Sequence, residues 1–600
     1  MDTPKQIVEH VLTPATTKKI WVTGYFNALP LTPQGFDMGA VLTAVFYMFR
    51  WGKRRGAGKF ASTFGKKEST GYSKPTIESV ASKVISEESF FSGFNSNVGQ
   101  AILGDLLLTF CFENKKKLRG RHQQIQRVFP IHYLASWIDL PEHVGHLRYV
   151  PELLVSILSG VPNASRITDE KNKSLFPFAK SFEENLLLDL FSPGMKIRGE
   201  HRSNMTSDVF GDMDDTASNV GLDQLALIRV AQKCKESPSK ARGGGEFEDI
   251  PTQQPLAAKA TKDFKEDINV FIQAYGSHVP RKAFSIMLES CLSLGFTGIY
   301  LATFKMLLSW EKTGELPPLK SQEPWSFFVD CSVGMDQKLR DVAEDSVQNM
   351  LKIHDRFPII LMLLRILAEK AHYDRRLKYS LPAESPDGTQ FINLLGKILT
   401  DNHPCSEKIK DDLEEKCSRL ADELDENDYR NDVAQLLRSR QPDSAIRLAD
   451  GLVNLVTEDM RKKHFMKAFD SLTMFNSPHG LSRKRPTRRK NREGAKTKGD
   501  ARSIVLTNSM LDFLVHRHCR KAARGKGDTP LSLPEFINIL RNRYGLYIND
   551  SPPDMSIASE LLDRNKHILE KRLRDLGLMM GVNDAESMKR LKQRYRAVGD

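Results

Sequence analysis

The sequence predicts a mainly α, multidomain helical protein closed by a small C-terminal helical, winged-helix-like module. Three observations carry that prediction. Apolar residues recur at helical spacing along most of the chain and seldom alternate as they would in half-buried strands. Two stretches poor in apolar residues, 201–260 and 476–505, break this pattern into blocks. Charge is segregated as well. Between Asn476 and Asp600, 27 Lys/Arg face 14 Asp/Glu, a balance of +13 that equals the balance of the whole chain, 88 against 75.

The totals bound the answer. Six hundred residues, 40% of them hydrophobic, suffice for several real cores, about three to five domains. Seven scattered cysteines without a CxxC pair argue against a disulfide framework and a cysteine-built zinc site, so a reducing cytoplasm is expected. Residues Met1–Lys5 lack the apolar core of a signal peptide. The apolar runs Met38–Phe49 and Ile359–Leu367 are about half the ~20 residues a bilayer requires, so no membrane partner is expected.

Residues 1–200 read as an N-terminal helical domain. Its apolar helices are Met38–Phe49, Val98–Leu108 as a second buried helix, and Leu153–Leu158 after Pro151 and Glu152. Ser, Asp and Gly then rise across 201–260, a flexible linker with one short helix at Leu222–Ala231. Residues 261–475 form a helical middle domain. Within it Asp336–Ile353 is amphipathic, and Asp355 and Pro358 suit the start of the next helix. Ser406–Leu424 carries Ile409, Leu413, Cys417, Leu420 and Leu424 on one face. The opposite face is acidic: Asp411, Asp412, Glu414, Glu415, Asp422 and Glu423. That face suits ordinary solvation or docking of a basic tail.

Residues 476–505 read as a basic disordered linker, since Ser482–Arg502 holds ten cations, two acids and almost nothing apolar. Residues 506–600 form the C-terminal module. Ser532–Glu535 is a capping box opening a helix to about Arg543, and Tyr544–Ile548 is a short strand. A helix from about Ser556 to Leu576 closes at Gly577, and Asp584–Tyr595 makes a last basic helix.

Phosphate contact is the chemistry this pattern suggests best. Lys and Arg near phosphates release counterions, and each contact adds affinity without sequence preference. The candidate nucleic-acid-binding residues are Arg483, Lys484, Arg485, Arg488, Arg489, Lys490 and Arg492, then Arg564, Lys571, Arg572 and Arg574. Lys589–Arg596 adds a further basic stretch. A second cluster, Lys53, Arg54, Arg55, Lys59, Lys66 and Lys67, surrounds Gly56-Ala57-Gly58. It lacks the first glycine and the Ser/Thr of a phosphate loop and suits a basic surface loop. Asp105, Glu113 and Lys115 loosely match the two carboxylates and lysine of metal-dependent nucleases. His143 and His146, with His132, Asp139 and Glu142, share helical spacing, and His516-Arg517-His518-Cys519 is a second weak cluster. Neither completes a ligand set, and no cofactor or metal is expected.

Four strings add a resemblance: Leu29-Pro30-Leu31-Thr32 through Gly35-Phe36-Asp37, Arg54–Phe60, Gly99–Asp105 and Arg572–Leu578. Together they resemble a protein family encoded in bacterial multi-gene antiphage operons of the methylation-associated defence type. The resemblance implies an intracellular bacterial protein working beside a DNA methyltransferase and other defence proteins. It transfers no catalytic residue. The expectation is therefore a non-catalytic component of an antiphage defence complex that binds nucleic acid, DNA before RNA, through its basic C-terminal region. The alternatives are a metal-dependent nuclease with its site in the N-terminal domain, or a scaffold that binds proteins alone.

Overall fold

The computed structural model describes residues 3–12, 24–54, 59–69, 71–86, 96–114, 124–138, 147–159, 176, 184–191, 227, 230–231, 250, 253–373, 388–455, 458–490, 496–520, 531–580 and 589–597. Helices dominate, as the apolar periodicity requires.

The three apolar runs of the first block are helices α1 (Val41–Trp51), α2 (Asn97–Phe110) and α3 (Val150–Ser159). Helices α1 and α3 are buried almost throughout, which suits elements with apolar residues on every side. Helix α2 departs from the expected buried helix. It sinks Leu103, Leu107 and Phe110 but leaves Val98 68%, Ile102 48% and Leu108 49% exposed. Two antiparallel pairs complete the block: β1 (Lys67–Glu68) with β2 (Gly71–Tyr72), and β3 (Cys111–Asn114) with β4 (Gln124–Val128). The expected basic surface loop is corrected at Arg54. Its guanidinium is buried, 2.5 Å from Glu152 and over the Tyr149 ring, because a buried carboxylate demands a partner. Positions 55–58, Lys115, the helix expected after Pro141 with His143 and His146, and most of the 201–260 linker lie outside the described residues.

The middle of the chain builds on α4 (Ala258–Tyr275) and α5 (Arg281–Thr313). Helix α5 is the one described helix long and apolar enough to cross a membrane, yet 78% of its most apolar stretch is buried inside the protein. Asp336 caps α6 (Gln337–His354), accepting from the Lys338 and Leu339 amides at 3.0 and 3.2 Å. Pro358 lies in the first turn of α7 (Phe357–Tyr373), where its missing N–H costs nothing.

Helix α8 (Ser406–Glu426) buries the expected stripe of Ile409, Leu413, Cys417, Leu420 and Leu424. Its acidic face meets neighbouring helices rather than the tail. Asp412 pairs with Lys370 of α7, and Glu414 with Arg447 of α9 (Ser444–Leu455). Asp422 and Asp425 share Arg438, and Glu423 lies 3.3 Å from His10. Helix α10 (Glu458–Leu472) then leads to the basic segment.

That segment corrects the expected disordered linker. Ser482–Lys490 (β6) and Lys496–Val505 (β7) form an antiparallel ribbon in continuous register from Ser482↔Ile504 to Lys490↔Lys496. The ribbon is ordered from its base. Ile504 and Val505 pair in parallel with Val329 and Asp330 of β5 (Phe327–Asp330), a strand buried along its whole length. On its other edge β5 pairs in parallel with β9 (Leu546–Tyr547). The order β6-β7-β5-β9 therefore inserts one strand of the middle block between two from the tail.

In the C-terminal region α11 (Asn508–His518) precedes β8 (Leu531–Ser532), α12 (Leu533–Tyr544), β9, α13 (Ser559–Asp575), β10 (Met579–Met580) and β11 (Arg590–Leu591). The Ser532/Glu535 capping box forms, and Gly577 adopts φ +69 just past α13. Gly545 ends α12 at φ +70, where a Cβ would lie 2.0 Å from the Trp325 carbonyl oxygen. The expected last helix is corrected. Residues 589–597 form β11 and irregular chain, with buried Leu591 aligned between Met579 and Leu531 and Arg590 turned outward.

One apolar core runs through all of these parts, from Ile7 to Ala597. Buried Glu289 of α5 ties three blocks together, 2.8 Å from Arg127 of β4 and 2.7 Å from His479 before the ribbon.

Candidate nucleic-acid interface

The ribbon is basic in sequence along its length, and ion pairs neutralise its base. Arg502 is buried and makes a two-pronged pair with Asp470 of α10, at 2.5 and 2.9 Å. Lys484, opposite Arg502, lies 2.9 Å from Asp500 and 3.3 Å from Asp470. Arg485 grips Glu344 of α6 through two nitrogens at 2.5 and 2.7 Å, with Asp341 at 3.6 Å. Those carboxylates hold the Arg485 guanidinium above its ordinary pKa, chiefly through the hydrogen bond to Glu344.

Beyond Thr487 the register sets Arg488 opposite Lys498 and Lys490 opposite Lys496. Like charges facing each other across a strand pair are unfavourable in isolation and become favourable beside a polyanion. Arg483, Lys484 and Arg485 thus sit on the structured base, and Arg488, Arg489 and Lys490 on the distal arm. Arg492 lies outside the described residues.

The remaining expected residues lie on α13, and most meet partners within the chain. Arg564 reaches Asp336 at 2.5 Å. Arg572 donates to the Cys331 carbonyl oxygen at 2.8 Å and to Asn508 at 2.7 Å; burial lowers its pKa. Arg574 pairs with Glu570 at 2.6 Å and remains exposed. Lys571 is exposed beside an open groove of about 810 Å³ between α13 and the start of α6. Asn565 fixes the helix. Its Nδ2 donates to the Val329 and Ile548 carbonyl oxygens at 2.8 and 3.0 Å, and its Oδ1 accepts from the Cys331 amide at 3.0 Å. The exposed face therefore shows His567, Lys571 and Arg574, and Arg590, Lys592 and Arg596 are exposed near by in sequence.

The other candidates have structural roles. Glu113 accepts from the Ile77 amide at 3.1 Å, at the start of helix Ile77–Ser86, while Asp105 is exposed on α2. His132 is buried, its Nδ1 accepts from the Leu134 amide at 3.0 Å, and burial lowers its pKa to about 3. His516 accepts the Arg594 and Tyr595 amides through Nε2, and His518 lies 2.8 Å from the Tyr544 hydroxyl. Cys519 is buried. No group of three or more His, Cys, Asp or Glu suited to a metal occurs among the described residues.

Sequence reasoning missed the acids that discipline the ribbon, Asp470 and Glu344. Asp470 lies on the helix just before the ribbon and Glu344 lies 141 positions before Arg485, and no local pattern marks either as a partner. Compared with known proteins, the chain matches no curated protein and no solved structure. A family model does match, over residues 28–595, and so takes in every expected binding residue from Arg483 to Arg574. The match agrees with the resemblance read from both ends of the sequence: the chain belongs to the family of the methylation-associated defense system protein MAD7.

Proposed function

We propose that this protein is a DNA-binding, non-catalytic component of the antiviral defence system to which its family belongs, and that it works in the cytoplasm beside other defence proteins. The basic ribbon is the observation that carries the reading. Its base is neutralised by Asp470, Asp500 and Glu344, while its distal arm sets cation against cation. A two-stranded ribbon fits the major groove of duplex DNA, where phosphates flank it on both sides. On this reading Arg488, Arg489, Lys490 and Arg492 meet phosphates, and Arg483, Lys484 and Arg485 orient the arm.

The C-terminal element order adds support. Helix, strand, helix, short strand, helix and two strands, with the sheet ordered β8-β11-β10, resembles a winged helix interrupted by β9, which pairs with β5 instead. On this reading α13 serves as the recognition helix, presenting Lys571 and Arg574 with Arg564 and Arg572 alongside.

Duplex binding across a salt series, with Mg²⁺ present and the DNA recovered afterwards, tests the proposal. Replacing Arg488, Arg489, Lys490, Lys496 and Lys498 by Gln should weaken binding and flatten the log–log salt slope by up to about 0.9 per lost contact. An unchanged affinity and slope overturns the ribbon's role, and cut DNA overturns the non-catalytic one.

A further inference from the structure

The loop that leads from β5 into α6 is built around the buried Asp330. Its Oδ1 accepts from the Ser332 amide at 2.8 Å and the Ser332 hydroxyl at 2.5 Å, and its Oδ2 accepts from the Gly334 amide at 2.6 Å. Ser332 Oγ in turn accepts from the Asp336 amide at 2.9 Å, and Arg340 donates to the Gly334 carbonyl oxygen at 3.2 Å. This clamp holds Val333 at φ +57 and Gly334 at φ +89. Glycine adopts such backbone freely. For a β-branched valine it costs free energy and persists only where the surroundings fix it.

The loop displays Met335, 91% exposed, the most exposed large apolar side chain among the described residues. A single exposed apolar residue is common on a protein surface. Met335 differs in being held out by a rigid, strained turn that is itself locked to α13. Asn565 accepts from the Cys331 amide, Arg572 donates to the Cys331 carbonyl oxygen, and Arg564 pairs with Asp336. Met335 and the α13 residues Ile568 and Lys571 line one open groove, together with Lys338. Two acids of that groove are engaged, Asp336 by Arg564 and Asp341 by Arg485. Exposed Lys338 and Lys571 therefore outweigh the remaining acid, Asp575.

We propose that Met335 reads the C5-methyl group of a pyrimidine in the major groove of duplex DNA, entering the groove beside α13. This rests on the DNA-binding reading above and adds a specificity-determining residue to it. The C5-methyl is the one apolar feature a base edge presents in the major groove, and apolar side chains recognise it by contact. A thioether chain suits that task, being apolar, polarisable and able to adapt its shape. Lys338 and Lys571 supply the charge that favours a phosphate-lined partner over an apolar protein surface. Thymine and a C5-methylated cytosine offer the same methyl in the same place, whereas uracil and cytosine lack it.

The test uses the full chain and two pairs of alternating duplexes, A·T against A·U and G·5-methylcytosine against G·C, so that every register offers or withholds the methyl. The methyl-bearing member of at least one pair should bind about fourfold tighter, the factor for burying one methyl-sized group. The pair that responds identifies the base. Met335→Ala should abolish the preference while leaving the salt slope and the melting temperature unchanged; Met335→Leu should keep most of it. Equal binding within both pairs overturns this reading and spares the ribbon's role, and so does a preference that survives Met335→Ala. No binding to any duplex overturns it together with the DNA-binding reading and turns Met335 toward a protein partner.

Discussion

Arg502 and Asp470 form a buried, two-pronged ion pair that fastens the base of the basic ribbon to helix α10. Removing one partner of such a pair strands a charge away from water, at a cost of about 3–5 kcal/mol. Asp470→Ala should therefore lower the unfolding free energy by that order, whereas Asp500→Ala, on a half-exposed acid, should cost less than about 1 kcal/mol. Equal effects in urea unfolding would show that Asp470 is not the anchor.

The distal ribbon predicts opposite signs for stability and binding. Lys498→Glu puts an acid at the register position opposite Arg488, an opposite-charge pairing worth roughly 0.2–1 kcal/mol. The free protein should become slightly more stable and bind duplex DNA more weakly. A variant that loses both stability and binding would argue against the facing charges.

Asn565 satisfies three backbone groups at the ends of β5 and β9 with one side chain. Asn565→Leu keeps the volume and leaves all three unpaired, a loss of about 2–4 kcal/mol. Hydrogen exchange should then rise at Cys331 and along β9 before it rises in α5. Uniform exchange across the chain would contradict this docking role.

Three buried histidines set a pH dependence. Burial lowers the pKa of His132 and His354 to about 3 and of His516 to about 4. Their unfolded-state value is near 6.5. A depressed folded pKa means that the unfolded chain takes up the proton first. The stabilisation is therefore complete above about pH 6.5 and is lost as pH falls toward 3–4, by up to ~1.4 kcal/mol per unit for each imidazole. Urea midpoints measured from pH 7.5 to 4.5 should fall steadily. His354→Gln, which replaces the imidazole that meets the Tyr300 hydroxyl at 2.9 Å, should flatten part of that slope.

Elements governed by near neighbours were legible in the sequence. The Ser532/Glu535 capping box, the stop at Gly577 and the buried stripe of α8 each rest on residues a few positions apart. The net positive charge of the last fifth is likewise a property of composition, and so was its suggestion of a polyanionic partner.

The tertiary structure decided where that charge can act. Ser482–Arg502 has almost no apolar residues and reads as disordered. It becomes a ribbon because Ile504 and Val505 pair with β5, some 175 positions earlier in the chain, and because Asp470 and Glu344 neutralise its base. Arg564 and Arg572 look like free phosphate ligands in the sequence, yet Asp336 and the Cys331 carbonyl oxygen engage them. Local propensity acts over a few residues and shows in the sequence. Strand pairing and charge compensation act through space between segments whose separation along the chain carries no signal, so the fold alone assigns which cations are spent internally and which face outward.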